Sequence, residues 1–153
     1  MTTLDPTDIR LLAALQRDAQ LTTHQLGEAL GLSASQAGRR RQSLEASGFI
    51  RHYTARIEPA KLGLDVQAFI QVQMGSQVPA HAAEFLRTVR ARPEIISAWT
   101  LTGEADYLLR VFTPDLARLN HLIHDVILPM HAVARVQSQI VMDQPKADAG
   151  LPL

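Results

Sequence analysis

The sequence predicts an α+β fold, in which an N-terminal winged helix-turn-helix precedes a C-terminal ferredoxin-like βαββαβ domain. The first observation is a series of three short helical patterns in the first third of the chain, of which the last is rich in arginine. The second is the order of the patterns after residue 64, where strands and helices follow as β-α-β-β-α-β. Short helices are marginal in water, so we expect the first three to pack against each other.

Capping signals delimit the three N-terminal helices. The first begins at Asp5-Pro6-Thr7-Asp8, which combines a capping carboxylate with a proline suited to the first turn. Thr22 to Gln25 and Ser33 to Gln36 each match the capping box S/T-x-x-E/Q. Gly31 and Gly48 are typical helix stops. A helix that ends in a tight glycine turn before an arginine-rich helix is the pattern of a helix-turn-helix.

The segment that follows these helices predicts a wing and a linker. Residues 49–57 are rich in β-formers and partly alternate between polar and apolar side chains, so they predict a strand, which is either the wing or the strand that leaves the DNA-binding unit. We expect domain boundaries at 1–53 for the winged helix-turn-helix, 54–63 for a linker strand and hinge, 64–143 for the βαββαβ domain and 144–153 for a C-terminal tail.

The second domain is predicted to be an antiparallel sheet with two helices on one face. Its strands are expected at 66–74, 95–101, 107–112 and 133–142, and its helices at 79–91 and from 113 to about Pro129. Residues 102–106 form the turn of a hairpin. Glutamines line one side of the first strand, and the sheet face without helices must meet something. A second copy of the chain is the candidate partner for that face.

Composition excludes several classes of protein. The 153-residue chain has no cysteine, which excludes disulfides and a cysteine nucleophile, and 46% of its residues are hydrophobic. No signal peptide or membrane span is evident, so we expect a cytoplasmic, nucleoid-associated protein and no membrane partner. The net charge is zero, but residues 1–62 carry a net charge of +2 with three consecutive arginines at 39–41. A local basic patch of this kind can contact DNA phosphates.

Several motifs in a fixed order resemble the Lrp/AsnC family of regulators, named for the leucine-responsive regulatory protein and the asparagine regulator, over about residues 4 to 143. The motifs are Leu4-Asp5-x-x-Asp8, Leu30-Gly31-Leu32-Ser33, Leu44-Glu45-x-x-Gly48-Phe49-Ile50, Tyr53-Thr54-Ala55, Thr102-Gly103-x-x-Asp106-Tyr107-Leu108-Leu109 and Val141-Met142. The resemblance implies a DNA-binding winged helix-turn-helix and an effector-binding, oligomerising domain. It also implies homodimers formed through the sheets, in some members assembled to octamers, and amino acids or related metabolites bound between protomers near the hairpin turn.

The third helix carries the candidate DNA-binding residues. Its N-terminal half enters the major groove in this motif, where arginine reads guanine and glutamine reads adenine. We predict that Ser35, Gln36, Arg39 and Arg40 contact double-stranded DNA. Arg51 is a candidate phosphate contact from the wing, together with His52 and Arg56.

Arg41 departs from the resemblance, because relatives usually carry an aliphatic residue at that position. It shares a helix face with Ala37 and Leu44, so we interpret it as structural, with its head in water or paired with an acid. DNA contact is the alternative.

The hairpin turn carries the candidate effector site. Gly103 can adopt a positive φ, and backbone N–H groups of such a turn can hold a carboxylate. Asp106 could pair with an α-ammonium group, which would suit a zwitterionic amino acid. The predicted effector-binding residues are Thr102, Gly103, Glu104, Asp106 and, on the last strand, Ser138. A hairpin loop shaped only by Gly103 and Asp106 is the structural alternative.

The function we predict is sequence-specific transcription regulation modulated by an amino-acid effector, with no other cofactor. An enzyme is not expected, because no nucleophile and base are brought together. His121 and His124 have a spacing that can chelate a metal, but we interpret them as surface residues. Two rival hypotheses remain: an architectural DNA-bending protein without an effector, and an amino-acid sensor whose helix-turn-helix contacts proteins.

Overall fold

The computed structural model describes residues 4–76 and 78–153. It divides into two compact units, which are described separately below: residues 4–56 with Lys146–Leu153, and Ile57–Pro145. In the described part of the chain, no helix is both long enough and apolar enough to cross a membrane.

The first unit contains the three predicted helices: α1 at Pro6–Arg17, α2 at Thr23–Leu30 and α3 at Ala34–Ala46. The predicted caps are confirmed. Asp5 accepts a hydrogen bond from the backbone N–H of Asp8 at 2.8 Å. Both capping boxes are formed, and Gly31 and Gly48 have φ values of 69° and 79°. These positive values are the reason that glycine occupies the two stops.

The helices are held together by a small leucine-rich core. The buried residues are Leu11, Leu15, Leu26, Leu30, Ala37 and Leu44. The turn between α2 and α3 passes very close to α2, because a Cβ added at Gly27 would lie 2.6 Å from the backbone oxygen of Leu32. Gly27 therefore sets the distance at which the start of α3 packs on α2.

The predicted wing strand is wrong. Residues 51–58 form neither helix nor strand, and all of them are exposed. A strand needs a hydrogen-bonded neighbour, and nothing in the described part of this unit supplies one. The segment is instead fastened to α3: the Ile50 N–H donates to the Leu44 carbonyl at 3.2 Å, and the Tyr53 hydroxyl donates to Glu45 at 2.7 Å. A short 3₁₀ turn at Pro59–Leu62 follows.

The second unit has the predicted order of elements. Strand β1 spans Val66–Met74, α4 Pro79–Ala91, β2 Ile95–Thr100, β3 Tyr107–Thr113, α5 Leu116–His121 and β4 Val133–Ile140. Helix α5 continues as a π-helical segment at Leu122–Ile127. The sheet order is β2-β3-β1-β4 with every pair antiparallel, so the predicted ferredoxin-like sheet is confirmed.

One face of this sheet is buried under the helices. Alternate residues of β1 and β3 enter the core with Phe85 of α4 and with Leu119 and Leu122 of the α5 region. The opposite side of β1 carries Phe69 among Gln67, Gln71 and Gln73, and these side chains are half-buried or exposed. The polar side that the sequence predicted for β1 is confirmed.

The C-terminal tail belongs to the first unit. The amide of Gln16 on α1 donates to the Leu151 carbonyl at 3.1 Å and accepts from the Leu151 N–H at 2.5 Å. Arg56 donates to the carbonyl of Asp148. These contacts place the last residues beside α1.

The close approach at Gly27 makes it the most sensitive glycine of the helix-turn-helix. We expect Gly27→Ala to lower the free energy of unfolding by about 1–3 kcal/mol, because the added methyl overlaps a backbone oxygen that cannot move alone. Gly38→Ala is the matched control, since its Cβ would meet only the Thr23 methyl at 3.3 Å. The control should equal or exceed the wild type, because alanine favours a helix. Urea unfolding followed by circular dichroism measures both variants, and equal stabilities would contradict the close packing.

Candidate nucleic-acid interface and effector site

The three consecutive arginines of α3 point in three directions. Successive residues of a helix are about 100° apart, so three neighbours cannot share a face. Ala37 and Leu44 mark the buried side of α3, and Arg40 and Arg41 flank it on either side. Arg39 lies on the opposite, exposed side. The triplet is therefore not one basic patch.

Arg40 is paired with α1. Its Nη1 lies 2.7 Å from Oδ2 of Asp5 and 2.7 Å from Oδ1 of Asp8. The N–H of Asp8 and the guanidinium of Arg40 lower the pKa of Asp5, and the two carboxylates raise the pKa of Arg40. The Arg40 side chain joins α1 to α3 and its charge is neutralised within the unit, so the DNA contact predicted for it stays a prediction and would require this pairing to open. The sequence could not show this, because the partners are 32 and 35 residues away.

Arg41 is structural, as its position beside Ala37 and Leu44 suggested. Its Nε donates to Glu45 at 3.0 Å, its Nη1 donates to the Leu21 carbonyl at 3.1 Å, and its guanidinium lies 4.7 Å from the ring centre of Tyr53. Hydrogen bonds from Tyr53 and Arg41 lower the pKa of Glu45, whereas burial and the bond to Glu45 raise the pKa of Tyr53. This cluster fastens the segment after α3 to the helix.

The exposed side of α3 carries Ser35, Arg39 and Gln42 at helical spacing. In the described residues, Arg39 makes no hydrogen bond or ion pair. Gln36 is exposed, but its Oε1 accepts from the N–H of Ser33 at 3.0 Å, so its carbonyl belongs to the cap. Gln42 was not selected from the sequence as a candidate DNA-binding residue. Its spacing of three residues from Arg39 and seven from Ser35 places it on the same helix face, and this signal was available.

The predicted wing residues remain exposed although the wing is not formed. Arg51 and His52 lie in the extended segment after α3 and have no partner in the described part of the chain. Arg56 is engaged by the carbonyl of Asp148.

The turn between β2 and β3 has the conformation expected of a glycine turn. Gly103 has a φ of 118°, where a side chain would be strained. The chain closes the turn by a hydrogen bond from the Leu101 N–H to the Asp106 carbonyl at 2.9 Å. Within the described residues, the N–H groups of Gly103, Glu104 and Ala105 donate to no acceptor. They are donors without a partner at an exposed turn.

Asp106 is already bound to the sheet. Its Oδ2 accepts from the backbone N–H of Met74 at 2.6 Å, and its own N–H donates to the Val72 carbonyl at 3.0 Å. The pairing of β1 with β4 shifts register at Gln73 and Met74, so the carboxylate satisfies an N–H at an irregular part of the ladder. Asp106 therefore has a structural role whatever else it binds.

A shallow depression lies beside this turn on the open face of the sheet. It is lined by Gln71, Gln73, Glu104, Ala105, Arg135 and Gln137 and has a volume of about 30 Å³. That volume is comparable with the space of one water molecule and too small for an amino acid. A ligand at the turn would need walls from a second chain.

The grouping of Ser138 with the turn is wrong for a single chain. Ser138 lines a different cavity of about 300 Å³ between α5 and β4, together with Asn120, His124, Val136 and Ile140. The period-two alternation of β4 puts Ser138 on the side of Val136 and Ile140, and this signal was available in the sequence.

The two histidines singled out above have separate surroundings. Nδ1 of His121 lies 2.7 Å from Asp125, whereas His124 lines the cavity with Ser138. Among the described residues, no group of three or more potential ligands could hold a metal ion.

Comparison with known proteins identifies the family. The model of the AsnC-type helix-turn-helix domain matches residues 4–45, and that of the Lrp/AsnC ligand binding domain matches residues 67–151, more than half of the chain. The chain belongs to the Lrp/AsnC family of transcription regulators. It is a DNA-binding regulator with a ligand-binding domain, and members of this family are regulators, not enzymes.

Full-length relatives and solved structures agree with this assignment. The DNA-binding transcriptional activator DecR of Escherichia coli K12 is 31% identical over 98% of this chain and 99% of its own length. The leucine-responsive regulatory protein of Rhizobium meliloti is 32% identical over 94% of this chain and 92% of its own. A transcriptional regulator of Neisseria meningitidis, solved in complex with L-Met, is 39% identical with a TM-score of 0.94, covering 98% and 97% of the two chains.

The ion pair between α1 and α3 gives the stability of the first unit a dependence on acid pH. The pKa of Asp5 is lower in the folded state, so its contribution is present above the ordinary carboxyl pKa of about 3.9 and is lost as the pH falls through the folded value. Asp5→Asn keeps a capping oxygen but removes the charge. We expect it to be less stable than the wild type at neutral pH and to converge with it in acid.

Urea unfolding at a series of pH values measures this convergence. Asp5→Ala is the companion variant, because it also removes the cap and should be the less stable of the two at every pH. A constant gap between wild type and Asp5→Asn from neutral to acid pH would contradict the charged pairing.

Proposed function

We propose that the chain is an amino-acid-responsive regulator that binds spaced DNA half-sites as a symmetric homo-oligomer in the cytoplasm, associated with the nucleoid. The observation that carries this proposal is the exposed side of α3, where an unpaired arginine and polar side chains stand on the second helix of a helix-turn-helix. The oligomer exists in two arrangements that differ in their affinity for DNA. The effector shifts the equilibrium between them only as far as it binds one arrangement more tightly than the other.

The DNA-reading residues are Ser35 and Arg39. Arginine donates bidentately to O6 and N7 of guanine, and Arg39 has no competing acceptor. Ser35 stands one turn earlier on the same side and can donate to a base or a phosphate. Gln36 offers its amide N–H groups, since its oxygen is held by the cap. Arg51 contacts phosphate from the extended segment that follows α3.

The effector is an amino acid held at the β2–β3 turn. The unpaired N–H groups at 103–105 suit its carboxylate, and Glu104 with the remaining oxygen of Asp106 suits its ammonium group. Thr102 flanks the turn, whereas Ser138 lines the separate cavity between α5 and β4 and is left out of this proposed site. The L-Met complex of the related Neisseria regulator supports a ligand of this class.

The open face of the sheet is the dimer interface. Phe69 on β1, Phe112 and Leu108 on β3 and Trp99 on β2 share this face, as the register shows by pairing Trp99 with Leu108. Trp99 is 45% exposed, which is costly for an aromatic ring without a partner. A second copy would cover these rings and pair the polar side chains between them. Dimers assemble further, up to octamers.

Arg39→Gln tests the DNA-binding surface. Loss of one phosphate or base contact should weaken binding and reduce the slope of log affinity against log salt by about 0.9 per phosphate contact. Arg87→Gln on α4 removes the same charge from the other unit and should leave the slope unchanged. Fluorescence anisotropy with a labelled duplex measures both, and equal affinities of the two variants for that duplex would contradict the assignment, because loss of a guanine contact weakens binding whether or not the salt slope changes. If DNA binding by the wild type does not depend on salt concentration, the result favours the rival hypothesis that the helix-turn-helix contacts proteins.

Thermal unfolding against each of the twenty amino acids, starting with L-Met, tests the effector site. A ligand present at 100 times its dissociation constant should stabilise the folded protein by about 2.7 kcal/mol. Asp106→Asn should abolish that shift, because it removes the charge while keeping an acceptor for the Met74 N–H. If no amino acid raises the melting temperature, the architectural hypothesis replaces this one, and the small depression at the turn already agrees with it.

A further inference from the structure

One cation and two anions meet at the edge of the DNA-binding helix. The guanidinium of Arg40 is bound at 2.7 Å by each of two carboxylates, from Asp5 and Asp8. The Arg40 side chain is 33% exposed and that of Asp8 only 17%, so the group is partly shielded from water. Arg40, Asp5 and Asp8 together carry a net negative charge. The sequence around Arg40, with three consecutive arginines, suggests a positive charge instead.

The surroundings of Arg40 would otherwise suit a phosphate. A hollow of about 300 Å³ beside it is lined by Arg39, Arg40, Ser43, Ser47 and Asp8, with Leu4 and Leu44 as its apolar wall. The two guanidinium groups and the Ser43 hydroxyl are donors of the kind that bind DNA phosphates, while the Ser47 hydroxyl already donates to the Ser43 carbonyl at 2.6 Å. The carboxylate of Asp8 supplies an anion from within the chain.

We propose that Asp5 and Asp8 withhold Arg40 from DNA and so lower the affinity of the regulator for DNA of arbitrary sequence. This inference rests on the proposed DNA-binding function. Phosphate contacts are the same for every sequence, so a second free arginine would strengthen non-specific binding as much as specific binding. With Arg40 neutralised, this sequence-independent contribution to the affinity is absent.

Exchange of the carboxylates for a phosphate is unfavourable in this arrangement. If Arg40 turned to DNA, two carboxylates would stay behind without a cation and would face the phosphate backbone. Turning away would forfeit two hydrogen bonds of 2.7 Å, and the carboxylates of Asp5 and Asp8, 43% and 17% exposed, would then repel the nearby phosphates. Arg40 therefore remains with α1 when the helix meets DNA.

The test compares two variants that share the same carboxylate changes. Asp5→Asn with Asp8→Asn frees Arg40 while keeping the helix cap, since asparagine caps as well as aspartate. Adding Arg40→Gln removes the freed cation. The affinity of full-length protein for a labelled duplex of arbitrary sequence is measured by anisotropy between about 50 and 200 mM salt. Circular dichroism spectra and melting curves check that every variant is folded.

We expect the double variant to bind more tightly than the wild type, with a log–log salt slope steeper by about 0.9 than that of the triple variant. Equal slopes for the double and triple variants would overturn the inference, even where the wild type binds DNA normally. A wild type and variants that bind no duplex at any salt would overturn the proposed function, and the inference with it. If the double variant binds the duplex more tightly than both the wild type and the triple variant, the withholding role is supported.

Discussion

The arrangement of the DNA-binding unit depends on the contact between Gly27 and the backbone of the turn at Leu32. Only a residue without a side chain allows the turn to pass at this distance, and the turn sets where α3 begins. Once Ala37 and Leu44 are buried against α1 and α2, the rotation of α3 is determined. That rotation places Arg40 and Arg41 at the borders of the core and Arg39 in the solvent. One backbone approach thus decides which of the three arginines faces the solvent.

The arrangement of side chains in the second unit results from the burial of only one face of its sheet. Helices α4 and α5 cover one face, and the alternation of β1 and β3 sends apolar side chains to that side. The open face keeps aromatic rings among glutamines, a composition that suits contact with another protein surface more than a dry core. The turn between β2 and β3 is tied to β1 through Asp106. The candidate effector site is therefore anchored to β1, an inner strand of the sheet.

Residues whose polar groups already have hydrogen-bond partners within the chain can be distinguished from residues whose polar groups are free to bind DNA or an effector. Gln36, Arg40 and Asp106 carry the chemistry of binding residues, yet each already has a partner within its own unit. Among the candidate residues that the structure describes, the groups without partners are the guanidinium groups of Arg39 and Arg51, the His52 ring and the N–H groups at 103–105. A polar group exposed without a partner is available to a ligand at little cost, whereas a paired one must first lose its bond. This difference assigns separate roles to residues that look alike in the sequence.

The sequence by itself determined the features that depend on near neighbours. Helix caps, glycine stops and the order of strands and helices arise from interactions within a few residues. Their patterns therefore predicted the fold of each of the two units and the turn between β2 and β3. Tertiary structure alone decided the rest. The wing strand is absent because a strand needs a partner that the local pattern cannot supply. The ion pairing of Arg40 could not be predicted because its two carboxylates lie at the start of another helix. The side of β4 that carries Ser138 follows from the alternation in the sequence, but the cavity that Ser138 lines exists only because α5 packs against β4. Charge pairing and burial act between distant residues, and only the folded chain brings those residues together.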